Sequence, residues 1–186
     1  MRIIGGKWRG LHLAEVGAGD TKAHLRPTSD RVREAIFNLL INGTHGDLVT
    51  GAHVLDLFAG TGALGLEALS RGAETVTLVD SGRTAQAIIA QNIAKMRVEA
   101  SVKTLLKDAT KLPIAASPFS LIFLDPPYGK SLGQASLGSA QSQGWLAPNA
   151  LILWEEGTPL SPPPGFALLE QRRYGDTWVT LLEWTT

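Results

Sequence analysis

The chain has no cysteine, which excludes disulfides and thiolate metal sites. Its four histidines, His12, His24, His45 and His53, show no paired ligand spacing. That argues against a zinc site, and no metal is expected. No run reaches the roughly 18 apolar residues of a membrane span. The start, Met1-Arg2-Ile3-Ile4-Gly5-Gly6-Lys7, has no apolar signal-peptide core. A cytoplasmic protein without a membrane partner is the expectation. Net charge is absent as well, since 17 basic residues balance 17 acidic ones. A generic polyanion binder is therefore disfavoured.

The 186 residues, 44% of them hydrophobic, suit one globular domain with a single sizeable core. Charge is unevenly spread. Through Leu40, seven basic residues (Arg2, Lys7, Arg9, Lys22, Arg26, Arg31, Arg33) face four acidic ones (Glu15, Asp20, Asp30, Glu34). A modest basic end on a neutral body fits contact with structured RNA.

Residues 2–13 read as two short strands around Gly-containing turns, a β-hairpin, and residues 17–25 as a loop. Thr28 or Ser29 can cap a helix that begins at Asp30, runs about ten residues and ends at Asn42-Gly43. The expected division is an extension over residues 1–25 and a catalytic domain over 26–186. From residue 53 the pattern alternates strand and helix, the signature of a parallel sheet with helices on both faces. Strands are expected at 53–57, 75–79, 102–106, 120–124 and 150–154, and helices at 63–70 and 84–96. Two further strands, 166–172 and 177–184, flank Tyr174-Gly175-Asp176 as an antiparallel hairpin. The Ser-, Gly- and Gln-rich stretch 129–144 reads as a loop facing any ligand at the strand ends, ordered only on RNA binding.

The segment Val54-Leu55-Asp56-Leu57-Phe58-Ala59-Gly60-Thr61-Gly62-Ala63-Leu64-Gly65 places a glycine loop between a strand and a helix. Gly60 and Gly62 permit a tight turn, and the helix start supplies unpaired N–H groups. Asp56 would repel a pyrophosphate but suits the cationic amino-acid end of S-adenosylmethionine. Asp80 closes the second strand, where an acid takes ribose hydroxyls. Asp108, before Ala109, can accept an adenine amino group. Three acids at three successive strand ends around one loop outline a cofactor site that also includes Phe58, Ala59 and Thr61.

The second motif is Leu121-Ile122-Phe123-Leu124-Asp125-Pro126-Pro127-Tyr128. The prolines stop the strand and stiffen the loop, holding Asp125 and Tyr128 in fixed directions at the sheet's ligand-binding edge. An exocyclic amino nitrogen is a poor nucleophile because its lone pair is delocalised into the ring. The Asp125 carboxylate and the Pro126 carbonyl can accept its hydrogens and localise that pair, while Tyr128 stacks on the base for roughly 1–3 kcal/mol. Transfer in line from a sulfonium then becomes largely a matter of positioning.

Together these motifs resemble the RsmD-like bacterial 16S ribosomal RNA guanine-N2 methyltransferases. The resemblance rests on Arg2-Ile3-Ile4-Gly5-Gly6 with Arg9-Gly10, and on Arg26-Pro27-Thr28-Ser29-Asp30-Arg31-Val32-Arg33-Glu34-Ala35-Ile36-Phe37-Asn38. It continues over residues 56–72, Asp125 to Tyr128, and Tyr174-Gly175-Asp176-Thr177. It implies a Rossmann-like class I methyltransferase fold, α/β with a mostly parallel seven-stranded sheet, and S-adenosylmethionine as cofactor. The implied substrate is a guanine N2 in 16S rRNA, within the small subunit or an assembly intermediate; a monomer is the default expectation. Arg26 and Thr28 are implied near cofactor and target, with Lys7, Arg9, Arg31 and Arg33 as RNA contacts. The chain departs from the family in having Thr61 where Ser is common and Asp80 where Glu is common. Adenine N6 methylation, a non-catalytic ribosome assembly factor and a dinucleotide oxidoreductase are the alternatives; Asp56 and the D-P-P-Y motif speak against the last.

Overall fold

The computed structural model describes residues 1–15 and 29–185. Arg26, Thr28 and the loop expected over 17–25 lie outside them. Among the described residues one seven-stranded sheet runs through the molecule in the order β3-β2-β1-β4-β5-β7-β6. Its strands are β1 (His53–Asp56), β2 (Thr75–Asp80), β3 (Val102–Leu106), β4 (Phe119–Leu124), β5 (Leu146–Glu156), β6 (Phe166–Tyr174) and β7 (Thr177–Trp184). β1 to β5 pair in parallel, and β7 enters antiparallel between β5 and β6. This is the mostly parallel sheet with a C-terminal antiparallel hairpin that the sequence predicts.

Alternation in the strands explains how the sheet is covered. In β4, Leu121 and Phe123 enter one core while Ile122 and Leu124 enter the other. All four are fully buried, and each contributes roughly 1.5–3 kcal/mol of transfer free energy. Three helices, α1 (Asp30–Asn42), α2 (Ala63–Ser70) and α3 (Arg83–Met96), lie on the Phe123 side. Ile36, Phe37, Leu66, Ile89 and Ile93 are their core residues. On the other side lies α4 (Leu132–Ser142), through Leu137 and Ala140. α1 begins where its capping signal sits, with Ser29 Oγ accepting from the Val32 N–H at 3.3 Å.

Two expectations need correction. The stretch 129–144 contains a helix, α4, and is not a loop. Gly133, Ser136, Leu137 and Ala140 recur at helical spacing and are buried. A Cβ on Gly133 would lie 2.1 Å from Trp154 Cζ2. Small residues there let α4 approach the Trp154 indole, and a composition-based reading mistakes that closeness for a linker. The N-terminal hairpin is also reduced. One antiparallel bridge, Arg2 with His12, pairs its arms, with Ile3 N–H donating to Leu11 O at 2.9 Å, Gly10 N–H to Ile3 O at 2.8 Å and Leu13 N–H to Met1 O at 3.2 Å. Most of the backbone donors at its tip go to α2 and to no partner strand. Ile4 and Gly5 N–H both reach the Glu67 carboxylate at 2.8 Å. Lys7 N–H reaches Ser70 O at 2.8 Å and Trp8 N–H reaches Ser70 Oγ at 3.0 Å. Ile3 and Leu13 meanwhile enter the Phe123-side core.

Candidate active site

One large cavity, about 1120 Å³, opens at the carboxyl ends of the parallel strands. That is where open α/β sheets bind ligands, and the volume exceeds what one small molecule needs. Both sequence motifs line it: Asp56 to Thr61 from one side, Asp125 to Tyr128 from the other.

On the first side the carboxylates are held by backbone donors. Asp56 ends β1 almost wholly buried, and its Oδ2 accepts from Gly65 N–H at 3.2 Å in the first turn of α2. Its Oδ1 is buried as well, with the Phe58 backbone N–H beside the carboxylate. Burial pushes the Asp56 carboxyl up to about 7 against the pull of the Gly65 and Phe58 N–H groups, with Asp125 and Asp80 adding like-charge repulsion. A buried acceptor at this place suits a ligand's cationic nitrogen. Asp80 Oδ2 accepts from Gly60 N–H at 2.9 Å and its Oδ1 from Gly82 N–H at 2.7 Å. The carboxylate thus ties the glycine loop to the start of α3 and keeps lone pairs for hydroxyl donors. Gly62 caps α2 at φ 80°, a left-handed backbone that favours glycine.

Asp108 lines the cavity and also performs a local task. Its Oδ1 accepts from Thr110 Oγ1 at 2.7 Å and Thr110 N–H at 2.9 Å, capping the short 3-10 turn Ala109–Lys111. The Thr110 hydroxyl and N–H hold its carboxyl below the ordinary value. Phe58 and Ala59 line the same wall, as does Ala109, which is buried. The Gly-loop backbone is further fixed by Asn92 of α3, fully buried, which donates to Thr61 O at 2.9 Å and accepts from Ala14 N–H at 2.6 Å.

The second side is assembled from distant parts of the chain. Asp125 follows the last residue of β4, half-buried, and the Pro126 ring behind it is buried. Tyr128 Oη lies 3.2 Å from Thr177 Oγ1 at the start of β7. Gly129 N–H donates to Glu156 Oε1 at 3.1 Å. The proline loop is thereby fastened to β5 and β7. Glu155, Asp176 and Thr177 complete this wall. Glu155 escapes the motif reading, although it carries the signal that identified the other acids: a carboxylate at the end of an apolar strand, Leu151-Ile152-Leu153-Trp154.

The basic residues divide. Lys7, Arg9 and Arg31 are exposed, with Lys7 Nζ 4.6 Å above the Trp8 ring. Arg33 is not exposed at all. Its Nη2 donates to Asp30 Oδ1 at 2.9 Å and to the Arg2 carbonyl, and its Nε lies 3.7 Å from the buried Glu67 carboxylate. Glu67 also accepts from Arg71 Nε at 2.7 Å. The expectation of an RNA contact at Arg33 therefore gives way. It belongs to a buried ionic knot that fastens α1, α2 and the N-terminal segment together.

Comparison with known proteins agrees with this layout. The chain is 38% identical over 155 residues to "Ribosomal RNA small subunit methyltransferase D" of Escherichia coli, covering 83% of this chain and 74% of that protein. It is 34% identical over 181 residues to the Haemophilus influenzae protein of the same name, covering 94% and 89%. A solved Escherichia coli structure, yhhF, described as a candidate methyltransferase, superposes with a TM-score of 0.83 at 33% identity, over 100% of this chain and 98% of that one. The family described as "Conserved hypothetical protein 95" matches residues 1–183, and the chain belongs to that family.

Proposed function

We propose that this protein is an S-adenosylmethionine-dependent methyltransferase that methylates the exocyclic N2 of a guanine in 16S ribosomal RNA. The observation that carries the reading is the meeting, in one cavity, of the Asp56–glycine-loop wall and the Asp125-Pro126-Pro127-Tyr128 loop. The names of the Escherichia coli and Haemophilus influenzae relatives support the substrate class.

In this reading the cofactor supplies an activated methyl group on a sulfonium. Asp56 would take the ammonium of its amino-acid end through its buried carboxylate. The glycine loop from Phe58 to Gly62 packs against it, Asp80 accepts the ribose hydroxyls, and Asp108 with Ala109 meets the adenine. On the other wall, Asp125 and the Pro126 carbonyl accept the two amino hydrogens of the target base and localise the nitrogen lone pair. Pro127 keeps the loop rigid, and Tyr128 stacks on the base. After transfer the nitrogen loses one proton, to Asp125 or to water. Lys7, Arg9 and Arg31 offer the RNA-facing charge, and Arg26 and Thr28, outside the described residues, are taken as further RNA contacts. The reading further takes residues 1–25 as an N-terminal extension of the 26–186 domain. It takes the protein as a cytoplasmic monomer acting on the small subunit or its assembly intermediate. No helix among the described residues is long and apolar enough to cross a membrane.

The test is methyl transfer from labelled S-adenosylmethionine to unmodified small ribosomal subunits, followed by separation of nucleosides. Label in N2-methylguanosine is expected. Label in N6-methyladenosine moves the substrate to adenine, and cofactor binding without any label overturns the enzymatic reading.

A further inference from the structure

Glu155 is a second acid on the wall that faces the target base, one strand away from Asp125. β4 and β5 run parallel with Leu124 opposite Trp154. The next residues along the two strands are Asp125 and Glu155, and both line the cavity. The pleat puts them on the same face as Phe123 and Leu153, the face that also carries Asp56, which pairs with Phe123 across β1 and β4. Glu155 is 1% exposed. Two carboxylates on neighbouring strands at one edge of the cavity offer adjacent acceptors. They match a ligand edge that carries adjacent N–H donors.

The two candidate purines differ in that respect. Guanine presents the N2 amino group beside N1–H, an unbroken row of donors. Adenine presents the N6 amino group beside the N1 lone pair, an acceptor. With the amino group held by Asp125 and the Pro126 carbonyl, the neighbouring ring nitrogen points along the wall toward the next strand. A carboxylate there accepts N1–H of guanine and repels N1 of adenine. Resting on the guanine-N2 reading above, we propose that Glu155 is the specificity-determining residue of this site and accepts the N1–H of the target guanine.

The experiment uses the nucleotide that carries label in the subunit assay, replaced in reconstituted particles by 2,6-diaminopurine. That base keeps the 2-amino group and puts a lone pair at N1. The wild-type protein is expected to favour guanine over diaminopurine by roughly 10–100-fold in kcat/KM, the cost of facing a buried carboxylate with an acceptor. Glu155→Gln is expected to narrow that ratio at least tenfold, because its amide can turn an N–H toward N1. S-adenosylhomocysteine affinity should stay unchanged. Equal wild-type transfer to both purines, or an unchanged ratio in Glu155→Gln, overturns the role of Glu155. If Glu155→Gln does not fold, the wild-type ratio alone still decides. The guanine reading itself fails separately, through N6-methyladenosine as the wild-type product.

Discussion

The two walls of the cavity are acidic but built by different means. On the glycine-loop side the carboxylates are clamped by backbone N–H groups: Asp56 by Gly65, Asp108 by Thr110, and Asp80 by Gly82 and, across 20 residues, by Gly60. On the proline-loop side the fastenings span the chain. Tyr128 meets Thr177 at a separation of 49 residues, and Gly129 meets Glu156 at 27. The first wall draws mainly on backbone donors, braced by Asn92, which reaches Thr61 O across 31 residues. The second exists only once β4, β5 and β7 have paired.

The largest expected effect lies on the second wall. Asp125→Ala should lower methyl transfer about a thousandfold while S-adenosylhomocysteine affinity stays within about twofold, as for loss of a positioned transition-state contact. Single-turnover kinetics with parallel calorimetry check it. Weak cofactor binding with transfer intact would show that the walls have been assigned the wrong way round.

Asp56→Asn should do the reverse, weakening S-adenosylhomocysteine by roughly 10–100-fold, the range for a buried charge-assisted bond. The pH dependence sharpens this. The Asp56 carboxyl titrates near 3.8 when unfolded and near 7 when folded, so between those values the folded protein holds a proton that the unfolded chain has lost. Stability of the ligand-free protein should therefore fall as pH rises from about 4 to 7. Cofactor affinity should rise toward and past pH 7, because an ammonium pairs with the ionised form. Both slopes should flatten in Asp56→Asn; thermal melts and titration calorimetry across pH would expose a variant that keeps them.

A smaller effect belongs outside both walls. Lys7→Ala with Arg9→Ala should raise KM for the particle several-fold and make its salt dependence shallower, leaving cofactor affinity alone. Unchanged particle kinetics would remove this tip from the RNA surface. The smallest should be Tyr128→Phe, which removes the hydroxyl and its contact with Thr177 and keeps the ring. A decrease of about two- to fivefold in kcat is expected, the scale of one part-buried hydrogen bond. A loss comparable to Asp125→Ala would give the hydroxyl a chemical role.

Much of this was legible without coordinates. Strand–helix alternation announced the parallel sheet, the D-x-F-A-G-T-G segment its loop, and the Tyr174-Gly175-Asp176 turn the closing hairpin. Those features are local, because turn glycines, caps and apolar periods act over a few residues. What escaped was contact-dependent. The small residues of α4 look like a linker until Trp154 lies against them. Arg33 looks like an RNA contact until Glu67 and Asp30 enclose it. Glu155 looks like one more strand-end acid until register sets it next to Asp125.

The sequence by itself determined the fold class, the family and the two loops that meet at the strand ends, since each is written in short-range spacing. Only the tertiary structure decided which charges stay outside and which are spent inside. It also decided which carboxylates share a wall. Desolvation and strand register depend on neighbours tens of residues away, and no local pattern encodes them.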